Sequence, residues 1–251
     1  MHRFYLSPDH CRGSALRLDG REARHALRVV RLKHGELATV LDGVGNSFLC
    51  HIETISRGTV HLTVTLKIFT PPPPCPVTLL VAVPKGKIIE DIIQKSVELG
   101  ARRVVPLLTE RVVTRLDEQS REHKREQWQQ VAIEAIKQCG AAWLPQIEAP
   151  VTIQEFLARG EKFDLALVGS LQTERRHPRD IFDEFQAANG RLPKSAAVWI
   201  GPEGDFTLDE LQAIQNTGAH PITLGPLVLR VETAVIYCLS FLNYELNRPA
   251  V

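Results

Sequence analysis

The chain carries almost no excess charge: 30 lysines and arginines face 29 aspartates and glutamates over 251 residues, a formal net charge of +1. Taken over the whole length, that balance argues against a partner held by bulk charge alone. Cysteine gives no framework either. Cys11, Cys50, Cys75, Cys139 and Cys238 are odd in number and widely spaced, with neither a CxxC pair nor a Cys/His cluster at zinc spacing. No metal is implied, and a reducing, cytoplasmic compartment is expected. No apolar run approaches the length that spans a bilayer, and the opening "MHRFYLSPDH" is too polar for a secretory signal, so neither export nor membrane insertion is expected. Missing motifs narrow the chemistry further. GxGxxG after a strand, GxxxxGK[ST], GxSxG and HExxH are all absent, which sets aside ordinary dinucleotide binding, phosphate loops, the serine elbow and zincin chemistry. His177 and His220 lack suitable partners nearby and read as surface or loop histidines. Loops, carboxylates and arginines remain.

What is present is an ordinary globular composition, 44% apolar and 24% charged, long enough to bury roughly 70% of its unfolded surface without staples. Charge is unevenly placed. Residues 1–70 hold ten Lys and Arg against six Asp and Glu, with six of the nine histidines, whereas residues 77–251 hold 20 against 23. "TPPPPCP", Thr70 to Pro76, divides them, since consecutive prolines favour a stiff extended spacer. The expected domains are therefore 1–70, a linker at 71–76, and 77–251. In the first, "ELATVLDG", "SFLCHIETI" and "TVHLTVTLKIF" alternate and are rich in β-branched residues, predicting a small β-barrel. Its one helix is predicted over Gly20 to Leu32, where Arg21, Arg24, Arg28 and Arg31 share one side and Ala23, Ala26, Leu27 and Val30 the other. Such stripes are commonly solvated faces. With no carboxylate in this one, and Lys33 and His34 just beyond, phosphate binding is the stronger reading.

Beyond the prolines, strands alternate with helices: "VTLLVAV", "RRVVPLL", "FDLALVGS", "SAAVWIG" and "HPITLG" read as strands, and "KIIEDIIQKSVELG", "QWQQVAIEAIKQCG", "TLDELQAIQNTG" and "TAVIYCLSFLNYEL" as helices. Thr207 and Glu210 have capping-box spacing, and Trp128 and Trp199 read as core. This alternation predicts an α/β domain with a mostly parallel sheet. Ligands of such sheets bind past the carboxyl ends of strands. There, Gly169, Gly201 and Gly225 open three loops, each weak evidence alone.

Two of these loops are informative together. "IGPEGDFTLDE", Ile200 to Glu210, and "LGPLVLRVETA", Leu224 to Ala234, resemble the paired signature of the SPOUT superfamily, specifically the RsmE family of 16S ribosomal RNA uridine-N3 methyltransferases. Similarity extends to "PKGKIIEDIIQKSVELGARRVVPLLTER", to "EAIKQCG" and to "RHALRVVRLKHGE", in order, over nearly the whole chain. The resemblance implies a PUA-like RNA-binding barrel joined to an α/β domain with a deep trefoil knot. It implies S-adenosylmethionine as methyl donor, a homodimer, and 16S RNA or the small ribosomal subunit as partner. Donor-binding residues are then expected at Gly169, Ser170, Ile200, Gly201, Pro202, Glu203, Gly204, Leu224, Gly225, Pro226, Leu227, Leu229, Thr233 and Ala234. Bare main chain would admit the adenosine, Pro202 would fix the turn, and Val228 would join Leu227 and Leu229 as apolar wall. Glu203 is expected to brace the loops by accepting backbone N–H bonds, or else to position substrate.

Arg230 and Glu232 stand where a cation and a proton acceptor for uridine N3 are needed, or where a salt bridge fixes the knot. Thr233 is expected to cap the last helix. RNA contacts are expected from Arg21, Arg24, Arg28, Arg31, Lys33, Lys85 and Lys95. The chain departs from the family at Asp205, Leu227, Val231, Ala141 and Val112, where glycine, arginine, threonine, arginine and serine are usual; Asp205 tolerates unusual φ and still permits the turn. The alternatives are the same scaffold acting on another RNA nucleotide, or an RNA-binding assembly factor without turnover.

Overall fold

The structure, a computed structural model, describes residues 2–56, 58–111, 116–171 and 175–247; the family departure at Val112 lies outside the described residues. The chain divides into two compact units, Met1–Pro72 with Ile133–Leu144, and Pro73–Ala132 with Pro145–Val251.

The first unit is a five-stranded sheet. Strands β1 (His2–Tyr5), β2 (Ala15–Leu18), β3 (Leu37–Leu41), β4 (Asn46–Ser56) and β5 (Thr59–Phe69) run in the spatial order β1-β3-β4-β5-β2. The β1–β3 pair is parallel and the others antiparallel. Alternate side chains point to one face. Thus Phe4, Leu16, Leu18, Ala38, Val40, Phe48, Cys50, Ile52, Val60 and Leu62 share a core with Ala23 and Ala26.

The predicted helix takes a different form. It begins as α1 (Gly20–Arg24) and loosens into a π-helical turn over His25–Val30, after which Arg31 adopts left-handed backbone with φ 59°. The Arg31 and Leu32 N–H groups both bond the Ala26 carbonyl. A 3.6-residue spacing therefore describes the stripe only as far as Arg24, and Arg31 lies outside the helix. The apolar and basic sides nevertheless separate as expected: Ala23 and Ala26 are buried, and Arg21, Arg24, Arg28 and Arg31 are exposed.

Residues 133–144 were expected in the second domain but pack in the first unit, for reasons visible in their bonds. The Arg3 guanidinium donates to the Gln138 carbonyl at 2.9 Å, a favourable place for a cation at a helix C-terminus. The Gly45 N–H bonds the Ala142 carbonyl and the Leu144 N–H bonds the Gly43 carbonyl, each at 2.9 Å. The Lys137 ammonium lies 2.8 Å from Glu22 with its side chain only 5% exposed.

The second unit is a seven-stranded, wholly parallel sheet made of β6 (Val77–Ala82), β7 (Arg103–Leu108), β8 (Gln146–Ile147), β9 (Val151–Thr152), β10 (Leu165–Gly169), β11 (Ala196–Ile200) and β12 (His220–Ile222). The spatial order is β12-β10-β11-β6-β7-β8, with β9 also on β7. Every residue of β6 and β11 is buried, as expected of strands covered on both faces. The helices after β6 are α2 (Ile88–Glu98), α3 (Glu118–Cys139), α4 (Ile153–Leu157), α5 (Pro178–Asn189), α6 (Leu208–Gln215) and α7 (Val231–Leu246); of α3, the part up to Ala132 belongs to this unit.

On one face Ala197 and Trp199 of β11 meet Phe156 of α4 and Leu211 and Ile214 of α6; α7 packs against α2 and β11. Thr207 and Glu210 form the predicted capping box. Helix α5 was not foreseen: its inward positions hold only Pro178, Ile181 and Phe182. His177 caps it, the ring Nδ1 accepting the Arg179 N–H at 3.2 Å.

All five cysteines are free thiols, and only Cys139 is exposed. Burial pushes the Cys11 thiol up to about 12 and those of Cys50 and Cys75 to about 11, with Cys238 raised as well. Since the thiolate is the reactive species, a thiol-reactive dye at pH 8 is expected to label one cysteine per folded chain, Cys139, and five after denaturation. Rapid labelling of Cys238 in the folded protein would contradict this core.

Candidate active site

Strands β10, β11 and β12 are neighbours and parallel, so their carboxyl ends open on the same side of the sheet. There the loops that follow them, with the start of α7, line an open cleft. Of the residues expected to bind a donor, Gly169, Ser170, Ile200, Gly201, Pro202, Glu203, Leu224, Gly225, Leu227, Leu229 and Ala234 line it. Gly204, Pro226 and Thr233 do not, and neither do Arg230 and Glu232. Leu171, Arg175, Asp205, Val228 and Val231 line it as well.

The glycines are there for separate reasons. A Cβ on Gly201 would stand 3.1 Å from the Phe206 nitrogen and 3.2 Å from its ring, so the loop closes on its own backbone at that point. Gly225 has φ +105° and open space where a Cβ would stand. On Gly169 a Cβ would stand 3.3 Å from the tip of Ile200 and in ordinary contact with Leu224 at 3.5 Å, both cleft residues, so bare main chain here leaves the cleft more room. Gly204 turns its carbonyl to the Arg111 guanidinium, a structural rather than a cleft role. The turn closes where the Asp205 N–H bonds the Pro202 carbonyl at 2.9 Å.

Bracing is done by a different carboxylate from the one expected. Glu203 is exposed and accepts no backbone bond among the described residues. Asp205, 7% exposed with φ 63°, accepts the Leu171 N–H at 2.9 Å and the Phe206 N–H at 2.8 Å. One buried side chain thus ties the loop after β11 to the loop after β10. A second tie comes from Glu210, which accepts the Glu110 N–H at 2.9 Å besides its capping bond. The loop after β12 is held by the Ser170 N–H on the Ile222 carbonyl at 3.2 Å and by the Thr223 N–H on the Arg176 carbonyl at 2.9 Å.

Thr233 does not cap α7. The helix starts at Val231 with Arg230 as the extended N-cap residue, and no side chain bonds the cap, leaving Thr233 exposed one residue before Ala234. Arg230 is exposed and Glu232 half-buried, and no ion pair joins them or ties either to another described residue. The salt-bridge alternative therefore lacks support. Arg175 was missed by the sequence reading: it lies between Glu174 and a second arginine, with no periodicity to single it out.

On the first unit, Arg21, Arg24, His25, Arg28, Val29 and Glu134 surround a shallow hollow. The carboxylate thought absent from the stripe arrives from α3: Glu134 lies 3.1 Å from Arg21. The Arg24 Nε bonds the Gly20 carbonyl at 3.3 Å. Lys33 and Lys85 are exposed, and Lys95, also exposed, pairs with Glu98 at 3.0 Å.

A parallel sheet with three strand-end loops around a partly apolar cleft defines an α/β domain of the nucleotide- or nucleoside-binding kind. Residues 71–243 match the RNA methyltransferase domain and residues 18–65 the RNA methyltransferase PUA domain. The chain belongs to this family of RNA methyltransferases. It is 31% identical over 245 residues to the ribosomal RNA small subunit methyltransferase E of Synechocystis sp., covering 96% of this chain and 77% of that one. Among solved structures, a Legionella pneumophila methyltransferase in complex with SAM superposes with a TM-score of 0.85 at 31% identity, covering 96% of both chains. The ribosomal RNA small subunit methyltransferase E of Neisseria gonorrhoeae, bound to S-adenosyl methionine, gives 0.84 at 25% identity over 97% of both.

Proposed function

We propose that this protein transfers a methyl group from S-adenosylmethionine to N3 of a uridine in small-subunit ribosomal RNA. The observation that carries the reading is the convergence of the Gly169, Gly201 and Gly225 loops on one cleft, in a chain whose relatives include small-subunit enzymes over nearly its full length. The residues fit the donor: Ile200, Leu224 and Leu229 offer an apolar wall for adenine, while a Cβ at Gly169 would narrow the space. The sulfonium supplies an activated methyl carbon.

The protein's task at the acceptor is to manage the N3 proton and the charge left on the uracil oxygens, each pKa unit of mismatch costing about 1.36 kcal/mol. Glu232 takes the proton as the N3–methyl bond forms, the S–methyl bond breaks, and S-adenosylhomocysteine leaves. The Arg230 guanidinium, at the positive end of α7, balances the uridinate. Both groups being without partners among the described residues supports these roles. No step needs a metal, and no group of three or more potential ligands occurs among the described residues.

Finer features belong to the same proposal. The first unit acts as a PUA-like barrel that grips RNA. Segment 223–231 threads the chain into a trefoil knot; in support, β12 lies at the sheet edge while α7 returns to pack on α2 and the central strand β11. Two copies pair through α7, which exposes Ile236, Tyr237 and Tyr244 (73% exposed) along one side. No described helix is long and apolar enough to cross a membrane.

RNA is held by Arg24, Arg28, Arg31 and Lys33, with Arg21 shared with Glu134 and Lys85 and Lys95 as outlying contacts. Replacing Arg24 and Arg28 together by alanine is expected to weaken RNA binding and lower the slope of log affinity against log salt by about 1.5. An unchanged slope in a filter-binding titration would move the interface elsewhere. The reaction itself is tested by nucleoside mass spectrometry of ribosomal RNA from a strain lacking the gene. Loss of 3-methyluridine from the small subunit is expected, and an unchanged level rejects the assignment.

A further inference from the structure

Two charged side chains at the cleft have no evident task in the fold. Glu203 is exposed and forms no described bond, and Arg175 spends one contact on the Ser170 carbonyl, at 3.2 Å from its Nη1. They form no ion pair with each other. Among the described residues of the lining the third charged one is Asp205, with both carboxylate oxygens engaged by backbone N–H groups. Most of the remaining wall is main chain or hydrocarbon, from Ile200, Leu224 and Leu229 among others. Such a wall suits a purine and a ribose, and among the described residues Arg175 and Glu203 are the lining side chains with charge left to offer an ionised α-amino acid.

We propose that Arg175 and Glu203 form the subsite for the amino-acid end of the methyl donor, the guanidinium taking its α-carboxylate and the carboxylate its α-ammonium. This rests on the proposed methyl donor. A guanidinium presents paired donors that match a carboxylate, and the bond to Ser170 anchors Arg175 to the loop while leaving donors free. Because neither charge is neutralised by the other, a zwitterion can bridge them without breaking an internal pair. An RNA phosphate is the other anion that Arg175 could meet, and titrations without RNA separate the two.

The test is calorimetric titration of the full-length protein, without RNA, using two probes. S-adenosylmethionine carries the zwitterionic tail, and 5′-methylthioadenosine lacks it. Arg175→Ala is expected to weaken S-adenosylmethionine about tenfold while leaving methylthioadenosine within about twofold. Arg175→Lys falls between, having charge without the fork, and Glu203→Gln weakens S-adenosylmethionine alone by about fivefold. Unchanged methylthioadenosine binding also reports that each variant is folded. Equal weakening of both probes would overturn the subsite, leaving Arg175 as a brace for the Ser170 loop. No weakening of either would overturn it too. Failure of the unaltered protein to bind S-adenosylmethionine at all would remove the proposed function, an outcome distinct from either.

Discussion

Trp199→Ala lowers the stability of the parallel-sheet unit by about 3–5 kcal/mol in guanidinium denaturation followed by far-ultraviolet circular dichroism. The residue is 1% exposed and lies in β11, between Val168 of β10 and Leu80 of β6. Its ring meets Phe156 edge-on, with centroids 5.3 Å apart and planes at 86°, in the same core as Phe206, Leu211 and Ile214. Truncation removes an aromatic pair and opens a void under the strand that carries the Gly201 loop. Trp199→Phe is expected to lose only about 1 kcal/mol, because a ring stays against Phe156. Near-equal losses for the two variants would mean that ring volume is not what stabilises this face.

Asp205 gives the other large effect, and its substitutions separate two causes. Asp205→Ala leaves the Leu171 and Phe206 N–H groups without their acceptor and puts a Cβ-bearing residue with no compensating side chain at φ 63°; together these are expected to remove about 3 kcal/mol. Asp205→Gly loses the acceptor but not the conformation, so it should be milder by about 1 kcal/mol. Asp205→Asn keeps an acceptor and tolerates the left-handed region, and should be mildest. The order Asp, Asn, Gly, Ala is the expected result in thermal unfolding. Affinity for S-adenosylmethionine should fall in step, to about tenfold weaker for alanine, since the bond to Leu171 holds the edge of the cleft. An Ala variant as stable as Gly would show that the positive φ is unimportant, and an Asn variant as weak as Ala would dismiss the bond.

Much of this was legible in the residue order. Buried parallel strands announce themselves as unbroken apolar runs, and "SAAVWIG" and "VTLLVAV" became β11 and β6 with every strand residue buried. Thr207 and Glu210 marked a helix start by chemistry that acts over three residues. Elements with little local signal were missed: β1 and β2 are four residues each, too short for alternation to register. The π turn at His25–Val30 leaves no mark on a spacing that assumes regular helix.

At the site, the sequence identified the loops but not how each side chain is used. In "PEGD" either carboxylate was available to brace the turn, and what decided was backbone geometry: positive φ at Asp205 turns its side chain inward and leaves Glu203 outside. Likewise Thr233 read as a cap only while the start of α7 was unknown. With Arg230 the extended residue at ψ 156°, the helix begins too early for Thr233 to serve.

The most direct test is a crystal structure of the protein grown with S-adenosylhomocysteine. Density for the nucleoside is expected among Gly169, Gly201 and Gly225, with the adenine against Leu224 and Leu229 and the amino-acid end toward Arg175 and Glu203. Nucleoside bound away from these loops, or loops that close over the cleft and exclude it at saturating ligand, would contradict the assignment.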